Sequence, residues 1–392
     1  MSIVLSVSSS RADVGILAPV WRLLAAEPGV ELHIFLTGAH VSDTALAATA
    51  LPDGAEVHRG GADLAGRAAA EAAAAAPEIA AAMVRLTAKI APDAVLVIGD
   101  RLDMLPAAMA TLAFNLPLIH LHGGESSEGA VDERIRHAIS KLAHLHCAAT
   151  VQAATRLSRM GEEPWRIHVT GAPGLDGLLA APEMGAGELA AELGLSSGDG
   201  FYLVTVHPET NAGEPLRPLE AVLAALDDAA RPTVLTAPNA DPGGAEIRAR
   251  IEAFAAPRPW ALFRDTLGVR LYANAMRHAA LMLGNSSSGI VEAGLFGLPV
   301  IDVGGRQAGR ERAANVRHSA ADPETIRTML AEAGGAPRAP RAPRASLYGD
   351  GHAAPRIAAL VANLPAREKL LIKRYSEQAA EFSSPWAENA AA

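Results

Sequence analysis

Short apolar runs recur along the chain, and between them apolar positions repeat at helical spacing. In the first half, residues 2–7, 30–37, 94–98, 116–121, 145–150 and 167–170 read as strands. Residues 15–26, the alanine-rich 65–90 (containing Pro77), 105–114 and 130–142 read as helices. Strands separated by helices imply βαβ units and a parallel sheet. Gly and Pro punctuate residues 175–198, and the pattern then restarts. Strands are expected at 202–206, 233–236, 260–263, 281–283 and 299–302, with helices at 188–193, 216–226, 244–253, 272–279 and 289–296. This pattern implies two α/β domains, 1–175 and 176–362. Within the second, the Pro/Arg/Ala stretch 335–346 reads as a surface linker and 352–361 as a helix. A terminal helix within 363–380, centred on 366–376, and a frayed tail at 381–392 complete the expectation.

Composition narrows the class. At 392 residues the chain exceeds one ordinary core. Aromatic content of 4% beside abundant alanine calls for aliphatic cores and ready helices. A formal charge of −9 argues against non-specific nucleic-acid binding, but not against a small anion held by local arginines. The opening MSIVLSVSSSRAD has no basic segment before its apolar run, and no apolar stretch of roughly 20 residues occurs, so neither signal peptide nor membrane span is expected. Cys147, the single cysteine, stands among apolar neighbours and reads as a core thiol. A cytoplasmic enzyme fits these features.

Ionisable residues crowd the ends of several strands. Between positions 120 and 137 lie four carboxylates, three histidines and two arginines, including His122, Glu125, Glu128, Asp132 and Arg136. A run that ends in His-Leu-His-Gly-Gly-Glu opens at the carboxyl edge of a parallel sheet, where such sheets place ligands. Asp100 ends the preceding apolar strand, and Arg11 lies in the first strand-to-helix turn, where it can fork onto a phosphate or fix a carboxylate. If the helix starts near Glu128, then Asp132 and Arg136 share a face at i,i+4, and a simple helix salt bridge is the plainer reading of that pair. In the second half, His207 and Asn239 end successive strands, and Gly284-Asn285-Ser286-Ser287-Ser288-Gly289 joins a strand to a helix containing Glu292. Hydroxyls and free amides at such a junction suit a diphosphate, with Glu292 in reach of a sugar hydroxyl; capping by Ser287 or Ser288 is the rival reading. No P-loop lysine, HExxH, zinc-type cysteine set or GxSxG elbow is present. The histidines look scattered, and no metal site is expected.

Taken in order, these segments resemble the hydrolysing UDP-N-acetylglucosamine 2-epimerases. They are SRAD (10–13), LTGAH (36–40), GDRLD (99–103), HLHGGE (120–125), DERIRHAISKLAHLH (132–146), TVHPET (205–210), PNAD (238–241), GNSSSGI (284–290) and GGRQAGRERAANV (304–316). The resemblance implies two Rossmann-like domains in a GT-B arrangement with substrate in the cleft between them, and a C-terminal helix packed back on the first domain. By motif position Asp100 and Asp132 match catalytic carboxylates. His207 and the Ser286-Ser287 pair match diphosphate contacts, and Glu292 matches a ribose contact. Arg11, Asn239 and Arg306 fall in matched segments as further substrate-binding candidates. Many relatives carry glutamate where His122 stands, so His122 either takes that acid/base role or leaves it to Glu125. The implied reaction eliminates UDP from UDP-N-acetylglucosamine, hydrates the resulting 2-acetamidoglucal and releases N-acetylmannosamine, without a cofactor. A diacetylated dideoxy sugar as substrate, a non-hydrolysing 2-epimerase, a GT-B glycosyltransferase and a non-catalytic nucleotide-sugar binder remain the alternatives. A homodimer or homotetramer is the expected assembly.

Overall fold

The computed structural model describes residues 1–392 except 43–50, 65–66, 129–130, 197–199, 210–212, 240–242, 334–339 and 387–392. Two compact units emerge: Met1–Ser126 with Asp132–Gly177 and Gly349–Ala392, and Ser127–Val131 with Leu178–Tyr348.

Among the described residues the first unit is built on seven strands: β1 (Ser2–Ser8), β2 (Val30–Leu36), β3 (Glu56–Arg59), β4 (Ala94–Ile98), β5 (Leu118–Leu121), β6 (Leu145–Ala148) and β7 (Ile167–Val169). All pair in parallel, in the order β3-β2-β1-β4-β5-β6-β7. The described residues of the second unit form six: β8 (Tyr202–Thr205), β9 (Thr233–Thr236), β10 (Ala261–Arg264), β11 (Leu281–Gly284), β12 (Val300–Val303) and β13 (Val316–Ser319). They too are parallel, in the order β10-β9-β8-β11-β12-β13. Both sheets therefore wind outward in two directions from a central pair, β1/β4 and β8/β11, which marks the crevice where doubly wound sheets take ligands.

The central strands are where the apolar runs place them, because both faces of a parallel sheet are covered by helices. Every residue of β4 and β8 is buried. Helix Arg11–Ala26 starts where Ser10 and Asp13 form a capping box, and it locks to β1 through Trp21, whose indole N–H donates to Ser6 Oγ at 2.8 Å. Two strands lie outside the expected set. β3 (EVHR) and β13 (VRHS) are edge strands with no apolar run, specified by pairing to a neighbour rather than by their own hydrophobicity. Helices Val151–Arg159 and Pro323–Glu332 are likewise additional, although Thr150 and Asp322 cap them through the amides of Ala153 and Thr325.

The C-terminal expectations need correction. The chain rejoins the first unit at Gly349, not after 362. Helix Ala353–Ala362 starts on the Asp176 carboxylate, which accepts from the amides of Ala353 (3.0 Å) and Ala354 (2.8 Å), and it packs against helix Arg11–Ala26. The terminal helix is confined to Arg367–Leu371. It stops because fully buried Arg166 takes the carbonyls of Leu370 (2.9 Å) and Ile372 (2.6 Å) that a longer helix would need. Residues 381–386 are not frayed: Trp386 is buried, with the Arg356 guanidinium 5.2 Å from its ring centre. Residues 387–392 lie outside the described residues. Likewise only part of the expected linker 335–346 is described. There Arg341 bonds the Ala279 carbonyl, while the amide of Arg344 donates to the Leu295 carbonyl at 2.7 Å.

Candidate active site

In the first unit, the residues after β1, β4 and β5 meet at the carboxyl edge. The β1 turn is self-contained. Buried Asp13 accepts from Ser9 N (2.7 Å), Ser9 Oγ (2.9 Å) and Ser10 N (2.9 Å), which leaves Arg11 exposed on the first helical turn. After β4, the Asp100 carboxylate pairs with the guanidinium of Arg136, whose side chain is only 1% exposed. Arg136 also holds Glu133 at 2.9 Å and the carbonyl of Glu125 at 3.1 Å. The helix carrying it is Asp132–Leu142 and does not extend back to Glu128. Arg136, one turn beyond Asp132, ties Asp100 to the helix. Near by, burial raises the pKa of Asp103 despite the charge of Arg101.

The HLHGGE segment folds around two histidines with different tasks. His120 is fully buried, with Nε2 2.8 Å from the Gly99 carbonyl and Nδ1 3.2 Å from Ser140 Oγ. Burial pushes its pKa down to about 3, so it is a neutral support for the Gly99-Asp100 turn. Gly123 must lack a side chain here, since a Cβ would lie 2.8 Å from His120 Nδ1 and 3.1 Å from Ser140 Oγ. His122 has φ of 61°, a left-handed backbone that a non-glycine residue adopts at a cost of about 1–3 kcal/mol. Its Nδ1 is 2.5 Å from Glu125 Oε1, and its buried Nε2 has no hydrogen-bond partner among the described residues. With the Nδ1 proton on the carboxylate side, Nε2 presents a lone pair, the arrangement of a histidine base oriented by an acid. The Glu125 carboxylate is thus engaged with the His122 ring.

The far end of the helix is also fixed. Lys373 donates to the carbonyls of Lys141 (2.8 Å) and Ala143 (2.6 Å) and pairs with buried Glu162 at 2.7 Å. Burial pushes the Glu162 pKa up, but hydrogen bonds from His146, Lys141 and Lys373 outweigh it and bring the group to about 2. A cation on the last carbonyls suits a helix C-terminus.

In the second unit, His207 follows β8 and Asn285 follows β11. The Asn285 amide clamps the His207 backbone, accepting from its N–H (2.7 Å) and donating to its carbonyl (2.9 Å). The amide of Asn239 donates to His207 Nδ1 at 3.0 Å, so in the neutral ring the proton sits on Nε2, which is left as the donor. Burial, helped by the Arg306 charge, holds the His207 pKa at about 3 and keeps the ring neutral. Glu209 accepts from the amides of Gly305 (2.6 Å) and Arg306 (3.0 Å), and Gln307 Nε2 donates to the Asn285 carbonyl at 2.8 Å. Ser286 caps helix Ser287–Val291, its Oγ accepting from Ser288 N at 3.3 Å; neither Ser287 nor Ser288 is the cap. Ser288 Oγ donates to Glu292 Oε2 at 2.5 Å and contacts Tyr272 OH, so one hydroxyl of the three serines orients Glu292.

Asp100, His122, Glu125 and Asp132 thus belong to the first unit, and His207, Asn239, Ser286, Ser287, Glu292 and Arg306 to the second. Thr210, Ala240 and Asp241 of the matched segments lie outside the described residues. Sequence reasoning passed over Asn285, Glu133 and Glu209, which hold His207, Arg136 and the Arg306 loop. Their only signal was proximity to the chosen residues in GNSSSG, DER and HPE.

A family model described as UDP-N-acetylglucosamine 2-epimerase matches residues 22–362. The UDP-N,N'-diacetylbacillosamine 2-epimerase (hydrolyzing) of Legionella pneumophila is 33% identical over 94% of this chain and 98% of its own length. The UDP-N-acetylglucosamine 2-epimerase of Neisseria meningitidis is 31% identical, over 85% of this chain and 88% of that protein. Among solved structures, Methanocaldococcus jannaschii UDP-GlcNAc 2-epimerase in complex with UDP-GlcNAc and UDP gives a TM-score of 0.73 at 17% identity, covering 92% of this chain and 99% of that one. That likeness concerns the fold. No helix among the described residues is long and apolar enough to cross a membrane.

Proposed function

This chain belongs to the UDP-N-acetylglucosamine 2-epimerase family, and from that premise we propose that it is of the hydrolysing kind, converting UDP-N-acetylglucosamine and water to N-acetylmannosamine and UDP. The observation that carries the reading is the proton-transfer set of the first unit, above all the Glu125–His122 pair with its unpartnered Nε2, together with the Arg136-anchored Asp100. A receptor for UDP alone needs none of it.

On this reading the second unit holds the leaving group. Neutral His207 donates from Nε2, Ser286 and Ser287 offer hydroxyl and amide donors, and Arg306 supplies positive charge to the diphosphate; Glu292 takes the ribose, with Asn239 and Arg11 as further substrate contacts. Stabilising the diphosphate as the C1–O bond breaks lowers the barrier only where those donors bind the departing charge better than the ground state. Asp100 removes the C2 proton while UDP departs with the bonding pair, which leaves a 2-acetamidoglucal. Water then adds to C1, giving a proton to His122 Nε2, and Asp132 protonates C2 on the face opposite the original hydrogen. The sugar leaves free and inverted at C2. The reaction as written consumes water alone and calls on no cofactor.

A second reading concerns the sugar. The Legionella relative is named for a diacetylated substrate and matches almost end to end, which supports a UDP-linked diacetylated dideoxy sugar in place of UDP-N-acetylglucosamine. An NMR time course with each nucleotide sugar separates these. Equal accumulation of UDP and free C2-inverted sugar is expected, fastest with the true substrate. A persisting mixture of UDP-linked epimers means a non-hydrolysing enzyme, transfer to an added acceptor without C2 inversion a glycosyltransferase, and UDP binding without turnover a binding module. Each would overturn the proposal.

A further inference from the structure

Away from both sites, the described residues bring together one more set of metal-ligating side chains, His33, Glu56 and His58. Strand β2 carries Glu31-Leu32-His33 and edge strand β3 carries Glu56-Val57-His58. In each Glu-x-His pair the two-residue spacing puts both side chains on one face of its strand. Parallel pairing sets His33 opposite Glu56, so all four ionisable groups share that face. None of this is visible as a metal motif in the sequence, because the two pairs lie on separate strands and only the register joins them.

The donor atoms converge. His33 Nδ1 lies 2.9 Å from His58 Nε2 and 3.7 Å from Glu56 Oε2, and His58 Nε2 lies 4.0 Å from the same carboxylate oxygen. Metal–nitrogen bonds of ~2.0–2.1 Å at a tetrahedral angle separate two ligand atoms by about 3.3 Å, so small side-chain adjustments would seat an ion among all three. His33 Nε2 is 3.0 Å from Glu31 Oε1. A proton held there leaves the Nδ1 lone pair pointing into the cluster, as carboxylates behind metal-bound histidines do. A ring-to-ring hydrogen bond would use two of the three donors, whereas an ion uses all three.

We propose that His33 Nδ1, His58 Nε2 and the Glu56 carboxylate form a site for a divalent transition-metal ion, Zn²⁺ first, which clips edge strand β3 to β2 and leaves a fourth position for water. The ion is structural. His33 precedes the carboxyl end of β2 by three residues, roughly 10 Å of strand, and the proton-transfer groups follow other strands.

The test is competition of untagged, chelator-stripped protein with a chromophoric chelator for Zn²⁺, with Co²⁺ absorption as a report on coordination. Wild type is expected to bind about one equivalent and to show tetrahedral cobalt bands. His58→Gln and Glu56→Gln, both on the exposed edge strand and so tolerable to the fold, are expected to bind at least ~10-fold more weakly, and Glu31→Gln, which keeps the ligands, ~10–100-fold more weakly. Saturating Zn²⁺ is expected to raise the wild-type Tm by a few degrees and the His58→Gln Tm not at all. No zinc bound by wild type, or zinc affinity unchanged in His58→Gln, overturns the proposal. Turnover is not the readout.

Discussion

At the centre of the first sheet, ionisable side chains are paired with one another: Arg136 spans Asp100 and Glu133, and His122 bonds Glu125. At the same topological place in the second sheet, amides, hydroxyls and a histidine kept neutral by burial stand beside Arg306, while Glu209 and Glu292 are taken up by backbone amides and a serine hydroxyl. One winding order, β3-β2-β1-β4 or β10-β9-β8-β11, supports both. The difference lies in the loops at the strand ends. Paired acids and bases can move protons between partners, whereas neutral donors beside an arginine can receive an incoming anion. On the proposed function the first set turns the sugar over and the second holds UDP.

The comparison breaks most sharply at the carboxylates. Asp100→Asn and Asp132→Asn are each expected to lower kcat by about 10²-fold or more while leaving the calorimetric Kd for UDP nearly unchanged, since acid/base groups act mainly in the transition state. Wild-type turnover in either variant removes that residue from the proposed chemistry. His122→Gln is expected to cost at least ~30-fold in kcat and Glu125→Gln less, because the base survives there without its orienting partner. Equal losses in binding and rate would instead mark His122 as a substrate-holding group.

The opposite signature belongs to the second unit. Ser286→Ala with Ser287→Ala is expected to weaken UDP binding by about 10-fold, the worth of roughly one net hydrogen bond. Unchanged affinity would move the diphosphate elsewhere. Because Ser286 caps its helix, the double variant also loses about 1 kcal/mol of stability, so its Tm belongs beside its Kd.

The smallest effect is on acid stability, and it too differs between units. Burial holds His120 at about 3 and His144, beside Lys373 and Arg166, at about 4 in the first unit, against His207 at about 3 in the second. A histidine with a lowered folded pKa adds nothing above pH ~6.5. Below it the unfolded chain takes protons that the folded chain refuses, so stability falls with pH until the folded pKa is reached, at about 1.4 kcal/mol per pH unit and group. Glu162, held at about 2, adds a further loss as pH falls below ~4.5. Urea unfolding at pH 7 and 5 should show the first unit losing more. Trp260→Phe leaves Trp21, Trp165 and Trp386, all in the first unit, as the fluorescent probes. Equal loss in both units would refute the asymmetry.

Apolar runs revealed the central strands because those strands are buried on both faces. They were silent on β3 and β13, whose side chains are polar and whose pairing comes from a neighbour. The candidate residues could be named from the sequence, but the network that joins them could not. Spacing along a helix suggested Asp132 with Arg136, whereas Arg136 reaches across to Asp100 on another strand. Nothing local in the sequence announces that Asn285 holds His207, or that Lys373 caps the helix of Asp132 from more than 200 residues away. Such contacts are set by which strand ends become neighbours.

The elimination and rehydration at C2 is tested most directly by running the reaction with UDP-N-acetylglucosamine in heavy water and reading the released sugar by NMR. The account predicts N-acetylmannosamine carrying a single deuterium at C2, formed in step with UDP. Free sugar that keeps its original hydrogen at C2 would contradict it.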